Sequence, residues 1–323
     1  MKKLALICLP GLHNFIDQLA DHFTKKYQVV KAYSNQLDQI YQVIQGADVI
    51  WLEWANEMAV QCTRMLRSLN LPKKKIIVRL HSYEALNVNY LKQMDWAVVT
   101  DVIFVSEFIK EYVEGIIPAA LKNLNVHIIP NPIDPSKFDI DPYKYDTGRF
   151  EHRDKVVGLL GHLNNKKGIM NLCHAFYALN MLPGESIRLK LGGTWQDPRY
   201  ETYFWHFMDH TDLMSLVEQQ PVEYGTANEF FKDVDFVLCT SPWESQNMSV
   251  MEGMLCGCRP LIHEFPGADF HYCQDTNDWL WLTHDELVKA VWDGSIEPDV
   301  YRKYISDRYS FDLIMPKIHE VIG

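Results

Sequence analysis

Two glutamates, Glu244 and Glu252, stand with seven residues between them in the stretch Ser241-Pro-Trp-Glu244-Ser-Gln-Asn247-Met-Ser249-Val-Met-Glu252-Gly-Met-Leu-Cys-Gly257. A buried-strand pattern, Asp235–Cys239, runs up to this stretch, and Met248–Leu255 reads as a helix. Glu244 then falls in the strand-to-helix loop and Glu252 one turn into the helix. The backbone N–H groups of Asn247, Met248 and Ser249 fall at the helix start, where amides lack intrahelical partners and the dipole favours negative charge. That combination makes an anion site. A carboxylate beside it supplies acceptors for hydroxyl groups such as those of a sugar or a ribose. An acid near a helix start is ordinary by itself; it is the surrounding loop that points to function.

The elements that must position these groups follow a β/α rhythm. Leu4–Leu9 is a short apolar run ending at Pro10-Gly11, and Phe15, Leu19, Ala20 and Phe23 follow at helical spacing. Strand, glycine turn and helix open a doubly wound fold. Tyr27–Val30, Asp48–Leu52, Lys75–Leu80, Trp96–Thr100, Val102–Val105 and Val126–Ile129 read as further strands, with helices over Leu37–Ile44 and Met58–Leu69 and from Ser106 to about Gly115. The Pro-, Asp- and Tyr-rich stretch from Asn131 to about Arg153 has no apolar period and reads as an interdomain connection. The pattern then restarts with a strand Lys155–Leu160, a loop Gly161–Gly168, a helix Ile169–Leu179 and a strand Ile187–Leu191. A helix Glu201–His210, a short strand at Val222, a helix from Ala227 and a strand Pro260–His263 continue it, and the tail from Asp285 is helical. The expected architecture is α/β: two Rossmann-like β/α/β domains facing each other across a cleft, over residues 1–150 and 151–305, with a C-terminal helix at 306–323 packing back toward the first domain.

The Glu244–Glu252 stretch resembles the E-x7-E motif of the retaining family 4 glycosyltransferases of GT-B fold. The resemblance implies that Glu244 faces the donor sugar and Glu252 holds the ribose, with Asn247, Met248 and Ser249 beside the donor. Val157-Gly-Leu-Leu-Gly161-His162-Leu-Asn-Asn-Lys166-Lys167-Gly168 is similar to the family's glycine–arginine loop followed by Lys-Gly. There Lys167 matches the lysine that neutralises the donor diphosphate. His162 stands where the arginine is expected, and Lys166 is the other cation at hand. Taken alone, Lys166-Lys167 is a solvated turn. Val78-Arg79-Leu-His81-Ser-Tyr-Glu84 resembles the family's first-domain histidine loop, so His81 would contact the transferring sugar or the acceptor side, with Arg79 and Glu84 as flanking candidates. Pro10-Gly11-Leu12 would place Gly11 in a loop facing the donor. Softer likenesses are Ile129-Pro-Asn131-Pro-Ile-Asp134, with Pro132 in place of a glycine, Val105-Ser106-Glu-Phe108, His263-Glu-Phe-Pro266-Gly267-Ala268, and Tyr301–Phe311. The implied activity moves a sugar from a nucleotide-sugar donor to an acceptor hydroxyl with retention of configuration and front-face attack. No metal or other cofactor is expected, and domain closure would exclude water.

Composition bounds these readings. At 323 residues, two domains are the default, and 47% hydrophobic with 12% aromatic residues excludes a disordered chain. A formal charge of −11 argues against wholesale nucleic-acid binding. Seven scattered cysteines fit buried thiols in a reducing compartment, and Cys256-Gly257-Cys258 lacks the spacing of a zinc site. The apolar run after Lys2-Lys3 is too short for a signal core, and no stretch reaches membrane-spanning length. The expected location is the cytoplasm, with any membrane contact peripheral and at the inner face. The expected partners are a nucleotide-sugar donor and a saccharide or glycoconjugate acceptor. Lys73-Lys74-Lys75 reads as a solvated loop, and Trp51, Trp54, Trp195, Trp205 and Trp243 as core or cleft-wall residues. Three rivals remain: an epimerase or phosphorylase on the same fold, a non-catalytic nucleotide-sugar binder, and a transferase acting on a polymer acceptor such as modified DNA.

Overall fold

The computed structural model describes residues 1–69, 74–145, 155–182, 186–223, 225–273, 279–292 and 295–323. Lys73 and residue 150 therefore lie outside the described residues. The chain forms two compact units, Met1–Pro132 with Phe311–Gly323, and Ile133–Ser310.

The first unit holds strands β1 (Lys3–Cys8), β2 (Gln28–Tyr33), β3 (Val49–Glu53), β4 (Lys75–Leu80), β5 (Asp101–Phe104) and β6 (Asn125–Ile128). They pair in parallel in the order β2-β1-β3-β4-β5-β6. β1, β3 and β4 are almost wholly buried, as expected of parallel strands with helices on both faces. The helix Phe311–Ile322 packs in this unit. Its Phe311, Ile314, Met315, Ile318, Val321 and Ile322 share a core with Leu4, Leu6, Leu19, Phe23 and Trp51.

The second unit holds β7 (Lys155–Leu160), β8 (Ile187–Gly192), β9 (Val217–Gln220), β10 (Phe236–Cys239), β11 (Arg259–His263) and β12 (Leu280–Trp281). Their order is β12-β11-β10-β7-β8-β9, again all parallel. In each sheet the connections run first to one side and then to the other. The order reverses between β1 and β3 in the first sheet and between β7 and β10 in the second. Such switch points leave a crevice at the carboxyl ends of the strands, where α/β proteins bind ligands.

Three local expectations differ from the structure. Trp96–Thr100 is not a strand. Trp96–Val98 is a 3₁₀ turn in which the Asp95 carboxylate accepts the Ala97 N–H and the Trp96 indole N–H is donated to Leu91 O. Val222 lies beyond β9, whose half-exposed edge position leaves its residues polar and hides its pattern. The stretch after Asn131 is not a free connection as far as Tyr145. Ile133 and Phe138 enter the second unit's core, and Arg302 ties it down by donating to Phe138 O, Leu255 O and Pro135 O at 2.7–2.8 Å. The buried Lys144 ammonium donates to Phe231 O and Cys256 O, both at 2.8 Å. The second unit thus begins at Ile133, because backbone acceptors rather than an apolar period hold this stretch.

No helix among the described residues is long and apolar enough to cross a membrane.

Gly168 fixes how close two of these loops come. It sits at φ 66°, and a Cβ there would lie 2.0 Å from Thr240 O, a backbone atom that cannot step aside. Gly168→Ala should therefore lower stability by roughly 2 kcal/mol or more. Gly225→Ala, also at positive φ but with nothing within 4 Å, should cost about 1 kcal/mol. Thermal denaturation of the two variants checks this; equal losses would show that the close approach carries no energy.

Candidate functional site

The carboxyl ends of β7, β8 and β10 meet through glycine. A Cβ on Gly193 would lie 2.0 Å from Gly161 O, and one on Gly161 would press on the Lys167 stem at 3.0 Å. The loop after β7 is shaped locally. Asn164 accepts the Lys166 N–H at 3.0 Å, a 3₁₀ turn covers Asn165–Lys167, and Gly168 turns left-handed into the helix Ile169–Leu179. Thr240 Oγ1 donates to Lys167 O at 2.7 Å, fastening this loop to the one after β10.

That fastening puts Lys167 against Glu244. Lys167 Nζ donates to Glu244 Oε1 at 2.8 Å, and the same oxygen accepts Ser241 Oγ at 3.0 Å and Asn247 Nδ2 at 3.4 Å. Both partners keep some exposure, 18% and 15% of their side chains. Burial works against the Lys167 charge, yet the adjacent Glu244 carboxylate carries the ammonium above its ordinary value.

Glu252 lies on the helix Met248–Leu255, with a different environment. Burial pushes its carboxyl up to about 7, and only the Lys167 charge opposes this. It makes no side-chain hydrogen bond among the described residues. The helix it sits on is open at its start. The Asn247 amide oxygen accepts Ser249 Oγ at 2.8 Å instead of a first-turn N–H, so no side chain caps the helix. A cation, an uncapped helix start and a carboxyl raised by burial thus sit together at the β7/β10 switch point. An anion with attached hydroxyls suits that set.

The structure brings Lys167, Glu244 and Asn247 into hydrogen-bond contact, with Met248, Ser249 and Glu252 on the adjoining helix. Gly161 lies under Lys167. His162 and Lys166 are exposed on the same loop.

His81 and Gly11 belong to the first unit. Gly11 is exposed at φ 80°, with open space where a side chain would be. His81 is 3% exposed and sits in a charge network that the sequence reading missed. Glu53, at the end of β3, accepts Arg79 Nη2 at 2.7 Å, Trp51 Nε1 at 2.8 Å and His81 Nε2 at 2.9 Å. Burial would raise the Glu53 carboxyl, but Arg79 and His81 hold it down at about 2. An ionised Glu53 requires that His81 Nε2 carry the proton. Glu84, fully buried, accepts the backbone N–H of Ala55 at 2.9 Å and of His81 at 3.2 Å, and burial pushes its carboxyl up. Trp54 covers His81 with ring centroids 4.2 Å apart, and its indole N–H reaches Leu12 O at 2.9 Å beside Gly11. Trp54 holds φ 75°, rare for a bulky residue. Glu53 could have been noticed in the sequence as the lone acid closing the apolar run Val49–Leu52.

No protein-family model matches the chain. A comparison with curated proteins also finds no match. Solved structures do match over the whole length. A sucrose-phosphate synthase from Thermosynechococcus elongatus has a TM-score of 0.80 at 13% identity, covering 100% of this chain and 98% of that one. Anabaena HepE in complex with UDP and glucose has a TM-score of 0.75 at 16% identity, covering 100% and 99%. The lipopolysaccharide outer core galactosyltransferase WaaB, in its apo form, has a TM-score of 0.72 at 14% identity, covering 99% of each chain. At such identities the likeness shows the fold: the paired Rossmann-like sheets are those of GT-B proteins.

Two predictions follow from the carboxylates. Glu53→Gln leaves the Arg79 guanidinium buried without a counter-charge and should cost about 3 kcal/mol or more in urea denaturation; an unchanged midpoint would mean the network is not held by charge. For Glu252 the sign is opposite. Its native carboxyl keeps a proton that the unfolded chain releases near pH 4.5, so wild-type stability falls as pH rises from 4.5 to about 7. Glu252→Gln should melt higher than wild type above pH 7, by roughly 2 kcal/mol once partial exposure is discounted. The gap should close below pH 4.5; a gap independent of pH would refute the assignment.

Proposed function

We propose that this chain is a glycosyltransferase that moves a sugar from a nucleotide-sugar donor to an acceptor hydroxyl with retention of configuration. The observation that carries the reading is the Lys167–Glu244 pair beside the open start of the helix bearing Glu252, at the switch point between β7 and β10. Further support comes from the neighbour HepE, whose structures hold UDP, UDP-glucose, or UDP and glucose.

In this reading the donor diphosphate lies at the amides of Met248 and Ser249 and draws Lys167 from Glu244. As the sugar–phosphate bond breaks, negative charge grows on the leaving diphosphate, and Lys167 with the helix dipole stabilises it. Glu244, released from Lys167 but still held by Ser241 and Asn247, faces the sugar. Glu252 accepts the ribose hydroxyls, a role that favours its ionised form. Gly161 gives the phosphates room, His162 is a further hydrogen-bond donor of the loop and Lys166 a further cation. From the first unit, His81 contacts the transferring sugar or the acceptor, and Gly11 lines the donor side. The reaction needs no metal in this scheme, because Lys167 and the helix start take the charge. A glycan or glycoconjugate is the proposed acceptor. A cytoplasmic location is proposed on the grounds that all seven cysteines are free thiols, six of them buried.

The test is thermal stability against nucleotides and nucleotide sugars, with and without EDTA. A ligand at 100 times its dissociation constant should add about 2.7 kcal/mol. The shift should survive EDTA, vanish in Glu252→Ala and grow as pH is raised through 7. Release of nucleoside diphosphate in the presence of acceptor separates a transferase from a binder, and Lys167→Ala should slow it by ~100-fold or more. A folded sample that no nucleotide stabilises would remove the proposal.

A further inference from the structure

The turn from Ser245 to Asn247 is almost fully buried, each residue no more than 5% exposed. Buried backbone carbonyls must find donors, and around this turn side chains supply them alongside the backbone bond from Met251 N–H to Asn247 O at 3.4 Å. Asn171 Nδ2 reaches Thr240 O at 3.4 Å, and His263 Nδ1 lies 3.3 Å from Ser241 O. Two consecutive residues of the short helix Ala268–Tyr272 hold the turn itself. His271 Nε2 lies 2.6 Å from Ser245 O, and the Tyr272 hydroxyl donates to Asn247 O at 3.1 Å.

His271 has no exposure at all. A carbonyl can only accept, so Nε2 carries the proton and Nδ1 is the acceptor in the neutral ring. The Tyr309 hydroxyl stands 3.2 Å from Nδ1. The His271 carbonyl accepts the Tyr304 hydroxyl at 3.0 Å, and the Tyr309 hydroxyl, with a single proton to share between the carbonyl and Nδ1, also stands 3.2 Å from it. Burial pushes the imidazole down to about 4, so it is neutral under ordinary conditions. Tyr309 has a second attachment: its carbonyl accepts the Ile133 N–H at 2.8 Å. Ile133 and Ser310, which form an isolated parallel bridge, are the residues where the chain enters and leaves the second unit.

We propose that His271 is a positioning residue: its Nε2–H, fixed on the Ser245 carbonyl, sets the turn between Glu244 and Asn247, and Tyr309 ties that turn to the two chain crossings. The catalytic part rests on the reading of this loop as the donor site. The holding part does not. Loss of the hydrogen bond frees a buried carbonyl, and the turn must then reorganise to hydrate it. Glu244 and the first turn of Met248–Leu255 move with it.

The experiment compares His271→Leu, which keeps volume but removes the donor, with His271→Gln, which can still donate, and with Tyr309→Phe. Amide hydrogen exchange of the ligand-free proteins is read on the peptide spanning Thr240–Leu255. His271→Leu should speed it by about tenfold, the scale of one lost buried hydrogen bond, while peptides of the first unit stay unchanged. His271→Gln should restore most of the protection. Tyr309→Phe should give an intermediate rise. In parallel, UDP affinity and the split between kcat and KM for UDP-glucose are measured. The Leu variant should lose affinity and kcat together by a similar factor, and the Gln variant should recover both.

Unchanged exchange in His271→Leu, or equal exchange in the Leu and Gln variants, overturns the proposal. Increased exchange with wild-type UDP affinity and kcat overturns its catalytic part. A wild type that binds neither UDP nor any other nucleotide undermines the donor reading, while the exchange comparison still decides whether His271 holds the turn. Should the Leu variant not fold, Tyr309→Phe and His271→Gln decide it: wild-type exchange in the first, or Leu-like unfolding in the second, overturns the link.

Discussion

Glycines let the backbones of neighbouring loops touch at the carboxyl ends of the second sheet. Gly193 passes over Gly161 O, and Gly168 passes over Thr240 O, at separations no Cβ would permit. Everything polar at that edge follows from this contact. With the loops in register, Thr240 can fasten Lys167, Lys167 can reach Glu244, and Glu244 can collect Ser241 and Asn247 on one oxygen. One extra methyl at either glycine would separate these groups by more than a hydrogen bond tolerates.

Glu53 in the first unit and Glu252 in the second meet burial in opposite ways. In the first, Glu53 is matched by Arg79, His81 and Trp51 until its carboxyl is held at about 2. Such a network is stiff, because removing any member strands the others. In the second, Glu252 is left without a hydrogen bond and drifts to about 7. A group left uncompensated in the resting protein still has its interactions to make. Perturbed carboxyls of this kind concentrate where ligands bind, whereas the Glu53 network has the character of a support that orients His81 from below.

What could be read from the residues divides along physical lines. Strands buried on both faces, such as Lys75–Leu80 and Lys155–Leu160, announce themselves as continuous apolar runs. The helices Ile169–Leu179 and Met248–Leu255 were equally legible from their spacing. The contact of Lys167 with Glu244 was approachable because both lie in loops that follow buried strands, Lys167 just before Gly168 and Glu244 just after Pro242. Val217–Gln220 was not legible, since an edge strand half in water carries Glu218, Gln219 and Gln220. Neither was the attachment of Ile133–Tyr145, which depends on lysine and arginine reaching distant carbonyls. Glu53 and His271 stayed hidden for the same reason. Their roles come from partners that fold topology brings together, Arg79 in one case and the Ser245 carbonyl in the other.

The helix Phe311–Ile322 belongs to the core of the first unit, although every residue of the second unit precedes it in the chain. A ribosome therefore emits six strands of the first sheet, then the whole of the second unit, and only then the segment that closes the first hydrophobic core. During synthesis Leu4, Leu6, Phe23 and Trp51 wait with one side uncovered until Phe311–Ile322 arrives. The second unit faces no such delay: Ile133 and Ser310 meet as its ends, and it is continuous between them. The order of completion is thus the reverse of the order of appearance, and a chain cut before Phe311 would leave a finished second unit attached to an open first one.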